Sequence, residues 1–327
     1  MLGRSNEFQQ DIYPAEPPFS SNVLRRIVVI VNTRSGRGSD QDVADRLVVL
    51  FRQAGADADV RLARSGHEIA SAVRTALAER PDAIVAAGGD GTVSCIAAAL
   101  VDSAIAIGVL PLGTLNHFAR DLGLPIELEA AVGQIVHGVP SAVDVGEVNG
   151  RVFVNNSSLG LYPEIVRDRE QQQKRLGRGK WPALALACVA ALRRYPFLAV
   201  RLVVDGSERV YRTPFVFVGN NDYRTEGLAM GQREGLRGGL LSLYVARRPG
   251  RLRLVELALR ALIGRLRGAR DFDVMHATRI VVESRRRRLR VAIDGEVSEM
   301  TPPLQYRIRP AALRVLGGAA GGPAAPI

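Results

Sequence analysis

The chain has 327 residues, 47% of them hydrophobic and 24% charged, which is enough to bury a large core and predicts two domains. Its two cysteines lie far apart in unrelated apolar contexts, which argues against a disulfide framework and against a zinc site. The formal net charge of +11 favours anionic partners, but aromatic residues make up only 5%, which argues against nucleic acid among them.

The two ends of the chain are rich in polar or small residues. Residues 1–22 are predicted to be a disordered leader, and residues 317–327 a disordered Gly/Ala/Pro tail. The first residues carry no secretory signal, and no uncharged run reaches the ~20 continuous apolar residues that cross a bilayer. We therefore expect a cytoplasmic protein.

The first half, residues 23–140, alternates between apolar runs and helix-favouring runs. Strands are predicted at 25–32, 59–63, 83–87 and 105–110, and helices at 40–54, 67–79, 92–101 and 114–121. Ser65 is the predicted N-cap of the second helix. Strands separated by helices in this way predict an α/β domain with a parallel sheet, on which ligands bind at the carboxyl ends of the strands.

The second half, residues 141–316, consists of strand-like segments bounded by turns. Asn149-Gly150 and Asp205-Gly206 are typical of tight hairpin turns. Two helix-favouring stretches, at about 181–194 and 252–267, interrupt the strands. This half is therefore predicted to be an antiparallel β sandwich with helical insertions.

Turns of small and polar residues follow the first, third and fourth predicted strands, at 32–38, 88–92 and 111–116. Since carboxyl ends of parallel strands share one edge of a sheet, these turns should form a continuous polar shelf. Glycine lets backbone N–H groups approach a phosphate, and a helix N-terminus adds a favourable dipole. Asp90 would repel a naked phosphate but suits Mg²⁺. The predicted ligand is therefore a nucleotide phosphate with a metal ion.

Two common nucleotide-binding motifs are missing from the sequence. It contains no G-x-x-x-x-G-K-[ST], which argues against a Walker-type loop, and no G-x-G-x-x-G opens a helix after the first strand. A dinucleotide-binding fold is therefore disfavoured.

Taken in order, several motifs resemble the diacylglycerol kinase catalytic-domain family, which contains soluble bacterial lipid kinases and relatives of sphingosine and ceramide kinases. GGDGT alone also resembles turns of NAD kinases and phosphofructokinases, so the ordered set carries the resemblance, which covers residues 25–316. The segments are NTRSGRG at 32–38, GGDGT at 88–92, PLGTLNHFARDLGLP at 111–125, FVNNSSLG at 153–160, KRLGRGKW at 174–181 and DGE at 294–296.

The resemblance implies an N-terminal α/β domain of the NAD kinase/diacylglycerol kinase type, with ATP held between it and a C-terminal β sandwich that also holds a lipid substrate. It implies ATP and Mg²⁺ as cofactors and diacylglycerol, or a sphingoid or ceramide-like lipid, as acceptor. It implies that Asp90 helps to position the metal. The residues implied to contact the nucleotide are Asn32, Ser35, Gly36, Gly88, Gly89, Asp90, Gly91, Thr92, Gly113, Thr114 and Asn116.

Asp294 and Glu296 fall in the segment that matches the family's catalytic loop, where a carboxylate accepts the proton of the attacking hydroxyl. The sequence does not decide which of the two is the base, and Asp294-Gly295 is also an ordinary hairpin signal. Glu164 is the nearest candidate to engage the lipid head. The family often carries aspartates at the positions of His117 and Gly238. The metal network at the nucleotide is therefore expected to differ here, and a structural metal is expected to be absent or differently ligated.

Basic segments at 251–267 and 285–290 are compatible with transient contact with an anionic membrane surface. For 251–267 the favoured interpretation is a helix that covers the sandwich with its arginines solvated, and for 285–290 the alternative is a solvated turn. The expected protein is therefore cytoplasmic and peripherally membrane-associated, and a homodimer is left open. The alternatives are a soluble-metabolite kinase similar to NAD kinase, a catalytically weak nucleotide or lipid sensor, and a nucleic-acid-binding protein.

Overall fold

The computed structural model describes residues 26–33, 40–160, 197–223, 233, 235–246 and 272–317. The chain divides into two compact units. Among the described residues, unit 1 holds the chain up to Val145, the segment Gly235–Gly239 and the chain from Arg309 onward, and unit 2 holds the remainder. The predicted leader, the tail beyond residue 317 and the helical stretches at 181–194 and 252–267 lie outside the described residues.

Unit 1 contains four complete strands and five helices among its described residues. The strands are β1 (Arg26–Asn32), β2 (Asp57–Ala63), β3 (Ala83–Gly88) and β4 (Ala106–Pro111), and the helices are α1 (Asp40–Gln53), α2 (Gly66–Glu79), α3 (Asp90–Leu100), α4 (His117–Asp121) and α5 (Leu128–His137).

The strands of unit 1 form a parallel sheet in the order β2-β1-β3-β4. Every residue of β3 and β4 is buried, as expected for central strands of a parallel sheet covered on both faces. One part of the core packs Phe51 of α1 and Ile135 of α5 against Val29 and Val85 of the sheet. The predicted parallel α/β domain is confirmed.

Helix starts in unit 1 follow local hydrogen bonds. Ser65 caps α2 as predicted, because its Oγ accepts a hydrogen bond from the N–H of Glu68 at 3.2 Å. The helix α3 begins at Asp90, two residues before the predicted start, so Asp90 and Gly91 form its first turn. The helix α4 begins only at His117, three residues after the predicted start. The helix α5 was not predicted.

Unit 2 is built from strands. They are β5 (Ser141–Val148) and β16 (Leu304–Val315), both shared with unit 1, β6 (Arg151–Phe153), β7 (Asn156–Gly160), β8 (Leu198–Val204), β9 (Ser207–Thr213), β10 (Phe215–Asn220), β11 (Leu241–Ala246), β12 (Phe272–Ala277), β13 (Arg279–Ser284), β14 (Leu289–Ile293) and β15 (Glu296–Met300).

Two antiparallel sheets make up unit 2. One has the order β12-β11-β10-β7-β14-β15, and the other runs β16-β13-β8-β9. Side chains from both sheets share one core, for example Leu159 and Val291 from the first with Leu202 and Val282 from the second. The predicted antiparallel sandwich is confirmed, although β12 and β15 were not predicted.

Candidate active site

The first predicted turn is joined to the second by a side-chain hydrogen bond. Asn32 ends β1, and its Nδ2 donates to Oγ1 of Thr92 at 2.9 Å. Thr92 is buried in the first turn of α3, and its side chain lies against Gly88, where a Cβ would come within 2.6 Å of Thr92 Oγ1. Only glycine at position 88 therefore leaves room for this arrangement.

The start of α3 presents a carboxylate beside backbone N–H groups. Gly89 is the N-cap, and its carbonyl oxygen accepts from the N–H groups of Thr92 and Val93. Asp90 is half-buried, and its Oδ1 accepts a hydrogen bond from the N–H of Phe118 at 3.3 Å. This bond ties the second turn to the third. A helix N-terminus with a nearby carboxylate can bind a phosphate together with a cation.

The second and third turns approach each other at glycine. A Cβ on Gly113 would lie 2.4 Å from the Cα of Gly89, so no larger residue fits there without moving the backbone. Asn116 braces the third turn, because its Oδ1 accepts from the N–H of Gly113 and its Nδ2 donates to the carbonyl oxygens of Pro111 and Gly113. This bracing explains why α4 starts late. The structure therefore brings together the second and third predicted turns and Asn32, the first residue of the first predicted turn.

The remaining predicted nucleotide residues are exposed or undescribed. Gly91 and Thr114 are exposed, and Ser35 and Gly36 lie outside the described residues. His117, which stands where the family often has aspartate, is also exposed. Within the described part of the chain, no three His, Cys, Asp or Glu side chains cluster in a way that could hold a metal ion.

In unit 2, Asp294 lies on the tight turn between β14 and β15, and Glu296 is the first residue of β15. Asp294 and Gly295 both have positive φ, at 46° and 89°, as a type I′ hairpin turn requires. The carboxylate of Asp294 accepts three backbone N–H groups in succession. They belong to Val154 at 2.9 Å, Asn155 at 2.8 Å and Asn156 at 3.1 Å.

Two other hairpins of unit 2 share this geometry. Asn149-Gly150 and Asp205-Gly206 also have positive φ at both residues. The side-chain oxygen of Asn149 accepts from the N–H of Gln305 at 2.7 Å, and Asp205 accepts from that of Arg279 at 2.9 Å. In each hairpin the first turn residue thus holds a neighbouring strand by its backbone. The hydrogen bonds of Asp294 therefore have a structural explanation that is independent of catalysis.

The segment 154–156, which holds Asp294, is itself braced from its other side. Buried Asn220 and Arg233 both donate to the carbonyl oxygen of Val154, at 2.9 and 2.5 Å. The hydroxyl of Tyr223 donates to the carbonyl oxygen of Asn155 at 2.9 Å. The sequence-based prediction missed these three residues. Asn220 ends the apolar strand β10 and further polar residues follow it, as Asn32 ends β1 ahead of a polar turn. The same sequence signal that indicated Asn32 was therefore present at Asn220.

Glu296 differs from Asp294 in its surroundings. Its side chain is exposed, and it makes no hydrogen bond or ion pair with any residue that the structure describes. Glu164, the candidate for the lipid head, lies outside the described residues.

The sequence-based prediction also missed a carboxylate, Asp144, which holds parts of unit 1 together. It is fully buried, with Oδ1 accepting from the N–H of Ala311 at 2.9 Å and Oδ2 from that of Gly239 at 2.8 Å. Gly239 belongs to the segment in which the family often carries a metal-linked aspartate. Asp144 lies on β5, and its carboxylate thus connects β5 to two segments that are distant in sequence, at Gly239 and at Ala311. A buried aspartate is not distinguishable from a surface aspartate by sequence alone.

None of the described helices is both long and apolar enough to span a membrane. Residues 26–148 match the family described as Diacylglycerol kinase catalytic domain, and residues 164–317 match the YegS C-terminal NAD kinase beta sandwich-like domain. Together these matches span most of the chain.

The chain is similar to several curated proteins. It is 27% identical over 285 residues to a diacylglycerol kinase of Bacillus subtilis, covering 85% of this chain and 92% of the relative. It is 28% identical over 301 residues to a diacylglycerol kinase of Mycobacterium tuberculosis, covering 90% and 95%. A probable YegS-like lipid kinase of Pseudomonas syringae is 35% identical over 156 residues, which is 46% of this chain and 49% of that protein.

Solved structures show the same fold. A crystal structure of a putative diacylglycerol kinase from Bacillus anthracis superposes with a TM-score of 0.71 at 23% identity, covering 91% of this chain and 99% of the other. The fold, the turns and the family matches define a phosphotransferase of the lipid kinase class. Residues 26–148 carry the diacylglycerol kinase catalytic domain that the motifs indicated, followed by a YegS-type C-terminal domain, and this kinase family implies ATP as the phosphate donor.

Proposed function

We propose that the protein transfers the γ-phosphate of ATP to the hydroxyl group of a lipid in a reaction that requires Mg²⁺. The proposed acceptor is diacylglycerol, and the alternative acceptor is a sphingoid or ceramide-like lipid. The observation that carries this proposal is that residues from three strand ends meet around the start of α3. Asn32 bonds Thr92, Asp90 bonds the N–H of Phe118, and Gly113 lies against Gly89.

In the proposed nucleotide site, unit 1 supplies charge neutralisation and position. The first N–H groups of a helix have no partner within the helix, so the first turn of α3 offers donors to phosphate oxygens. Asp90 would hold Mg²⁺, which commonly uses one or two protein carboxylates together with the substrate phosphates. Gly113 and Thr114 would border the same phosphates, while Asn116 keeps their turn in shape. Phosphoryl transfer depends mainly on positioning and charge stabilisation of this kind.

In the proposed chemistry, the two carboxylates of the β14–β15 turn have different roles. Asp294 is fixed by three N–H donors and orients the turn. Glu296 is exposed, so its oxygens are available to accept a proton. The acceptor hydroxyl oxygen attacks the γ-phosphorus, its proton passes to the Glu296 carboxylate, and the bond from γ-phosphorus to the bridging oxygen breaks to leave ADP.

We propose that the protein reaches its lipid by transient contact with an anionic membrane surface. The turn between β13 and β14 exposes Arg285, Arg286 and Arg287, which have no side-chain partner in the described part of the chain. This arginine turn (Arg285–Arg287) lies at the opposite end of β14 from Asp294, and five strand residues span ~17 Å. For both ends to reach lipid, β14 must lie along the surface rather than upright on it.

The proposal is tested by transfer of labelled γ-phosphate from ATP to a panel of diacylglycerol, ceramide, sphingosine and phosphatidylglycerol in mixed micelles, with and without Mg²⁺. The variants are Glu296→Gln and Asp294→Asn, with Asp205→Asn as the matched control on a hairpin of the same type. We expect one labelled lipid, its loss in both test variants and its retention in the control.

Other outcomes would reject the proposal in favour of another function. Label in NAD rather than in any lipid would indicate a soluble-metabolite kinase. Bound ATP without transfer to any acceptor would indicate a sensor, in which Glu296→Gln should change nothing.

A further inference from the structure

The segment 154–156 lies between two sets of polar groups in unit 2. On one side, its three N–H groups point to the carboxylate of Asp294. On the other side, its carbonyl oxygens accept from Asn220, Tyr223 and Arg233. Asn220 and Arg233 are 0% and 8% exposed, so their polar groups are committed to protein partners.

Planarity of the peptide bond links these two sets. The carbonyl of Val154 and the N–H of Asn155 belong to one trans peptide unit, so they point in opposite directions. Donors on the Val154 oxygen therefore fix the direction in which the Asn155 N–H points, which is toward Oδ1 of Asp294. The next peptide unit repeats the arrangement, because the Asn155 carbonyl accepts from Tyr223 and from the N–H of Asn220, while the Asn156 N–H faces Asp294.

Arg233 contacts two consecutive residues of the segment 154–156. Its Nη1 donates to the Val154 carbonyl oxygen and its Nη2 to Oδ1 of the Asn155 side chain at 3.0 Å, so a single guanidinium spans two consecutive residues. The planar fork of arginine fixes both contacts at once, which a single ammonium group does less well. The contacts reach across 79 and 78 residues of sequence and join Arg233 to the segment that binds Asp294.

We propose that Arg233, together with Asn220 and Tyr223, is a positioning residue of the phosphotransfer reaction: it holds the peptide units of 154–156 so that their N–H groups fix Asp294 and thereby the place of Glu296. This inference rests on the proposed function, since it assumes that the β14–β15 turn carries the proton acceptor. None of the three residues needs to touch ATP or the lipid.

The test compares kcat and KM in three variants of the brace. Arg233→Gln should lower kcat by about 10- to 100-fold, because a misplacement near 1 Å has effects of that size. Tyr223→Phe removes one hydroxyl and should lower kcat by about fivefold. KM for ATP should stay within about threefold of the wild-type value, since the predicted nucleotide turns lie in unit 1 and a lost positioning contact acts on the chemical step. Arg233→Lys should recover part of the loss.

Two features separate positioning from a loss of stability. Asp205→Asn disturbs a hairpin of the same type elsewhere in unit 2, so it should lower the melting temperature without lowering kcat. Arg233 and Asn220 act through the same carbonyl oxygen, so the effects of Arg233→Lys and Asn220→Ser on log kcat should not add in the double variant.

The inference is overturned if Arg233→Gln and Tyr223→Phe, compared at equal folded fraction, keep kcat within about twofold of Asp205→Asn. If Arg233→Gln does not fold, Tyr223→Phe decides alone. If the brace variants keep their kcat but Glu296→Gln loses activity, the inference is rejected and the proposed function is retained. Full activity in both Glu296→Gln and Asp294→Asn would instead reject the catalytic turn, and the inference with it.

Discussion

Replacing Gly113 with alanine should separate two of the proposed phosphate-binding turns. The added Cβ would lie 2.4 Å from the Cα of Gly89 and 2.7 Å from Oδ1 of Asn116. The first of these neighbours is backbone, so it cannot move away by a change of rotamer. The second is the side chain that braces the turn through three hydrogen bonds.

The size of the effect follows from these distances. Ordinary van der Waals contact begins at 3.4 Å, so the Cα of Gly89 and the new Cβ must part by about 1 Å. Overpacking of this kind destabilises a protein by about 1–3 kcal/mol. A displacement of about 1 Å in groups that position a reacting phosphate lowers turnover by about 10²-fold. We therefore expect Gly113→Ala to fold and to lose most ATP binding and phosphotransfer.

The assay combines calorimetric titration with ATP, thermal melting and the transfer reaction. Gly66→Ala is the matched control, because Gly66 begins α2 in the same unit and a Cβ there meets nothing within 4 Å. The control should bind ATP as the wild type does and should be at least as stable, since alanine has the higher helix propensity. A folded Gly113→Ala protein with wild-type affinity for ATP would refute the assignment of these turns to the nucleotide.

Three further outcomes are expected. Asp144→Asn puts an amide donor against the backbone N–H of Ala311 or of Gly239, so urea denaturation should show that the free energy of unfolding falls by about 2–3 kcal/mol. A fall below about 1 kcal/mol would contradict the structural role of these two hydrogen bonds. Burial raises the pKa of the Tyr306 hydroxyl above its ordinary 10.0, so the unfolded state ionises first and stability falls as pH rises past 10. In melting curves, Tyr306→Phe should reduce that fall, and an unchanged fall would contradict the burial. Replacing Arg286 and Arg287 with glutamine should weaken sedimentation with phosphatidylglycerol vesicles by about 30-fold at about 1 kcal/mol each, whereas unchanged binding would exclude this turn from the membrane contact.

Much of the fold could be predicted because its signals are local. The strand β3 is an apolar run buried at every position, and Ser65 caps α2 through a hydroxyl three residues from its partner. The helix α5 was missed even though its signal was present. Its buried residues follow helical spacing: Ala131, Val132, Ile135 and Val136. This omission is an error of interpretation rather than a limit of the sequence.

The helix starts around the site show a real limit. A polar side chain near a turn can cap a helix or brace the loop before it, and local sequence does not decide between these uses. Asn116 takes the second course, so α4 begins three residues later than Thr114 suggests. At Asp90 the opposite happens, and residues predicted as turn become the first turn of α3. In both cases the predicted residues lie in the expected region, but the position of the helix N-terminus, and with it the set of backbone N–H groups at the start of the helix, differs from the prediction.

The brace around 154–156 could not be predicted, because its contacts join residues 66 to 79 positions apart. Sequence motifs pointed to the segment itself and to the turn at 294–296. They gave no sign that Arg233 donates to the carbonyl oxygen of Val154 and to the side chain of Asn155. Charge alone predicts an exposed arginine, and burial of this one follows only from the tertiary fold.

The three type I′ hairpins show why spacing alone cannot separate structure from catalysis. Asn149, Asp205 and Asp294 all use a side-chain oxygen to hold the backbone of a neighbouring strand. Selection for this structural contact alone would keep Asp294 in place. What distinguishes the third hairpin is its surroundings: a second carboxylate, Glu296, follows the turn in an exposed position, and a buried arginine braces the segment that Asp294 holds. If the proposed function is correct, catalysis uses a hairpin contact that the sandwich already needs for stability. Asp294→Asn should then reduce both stability and turnover, whereas Glu296→Gln should reduce turnover alone.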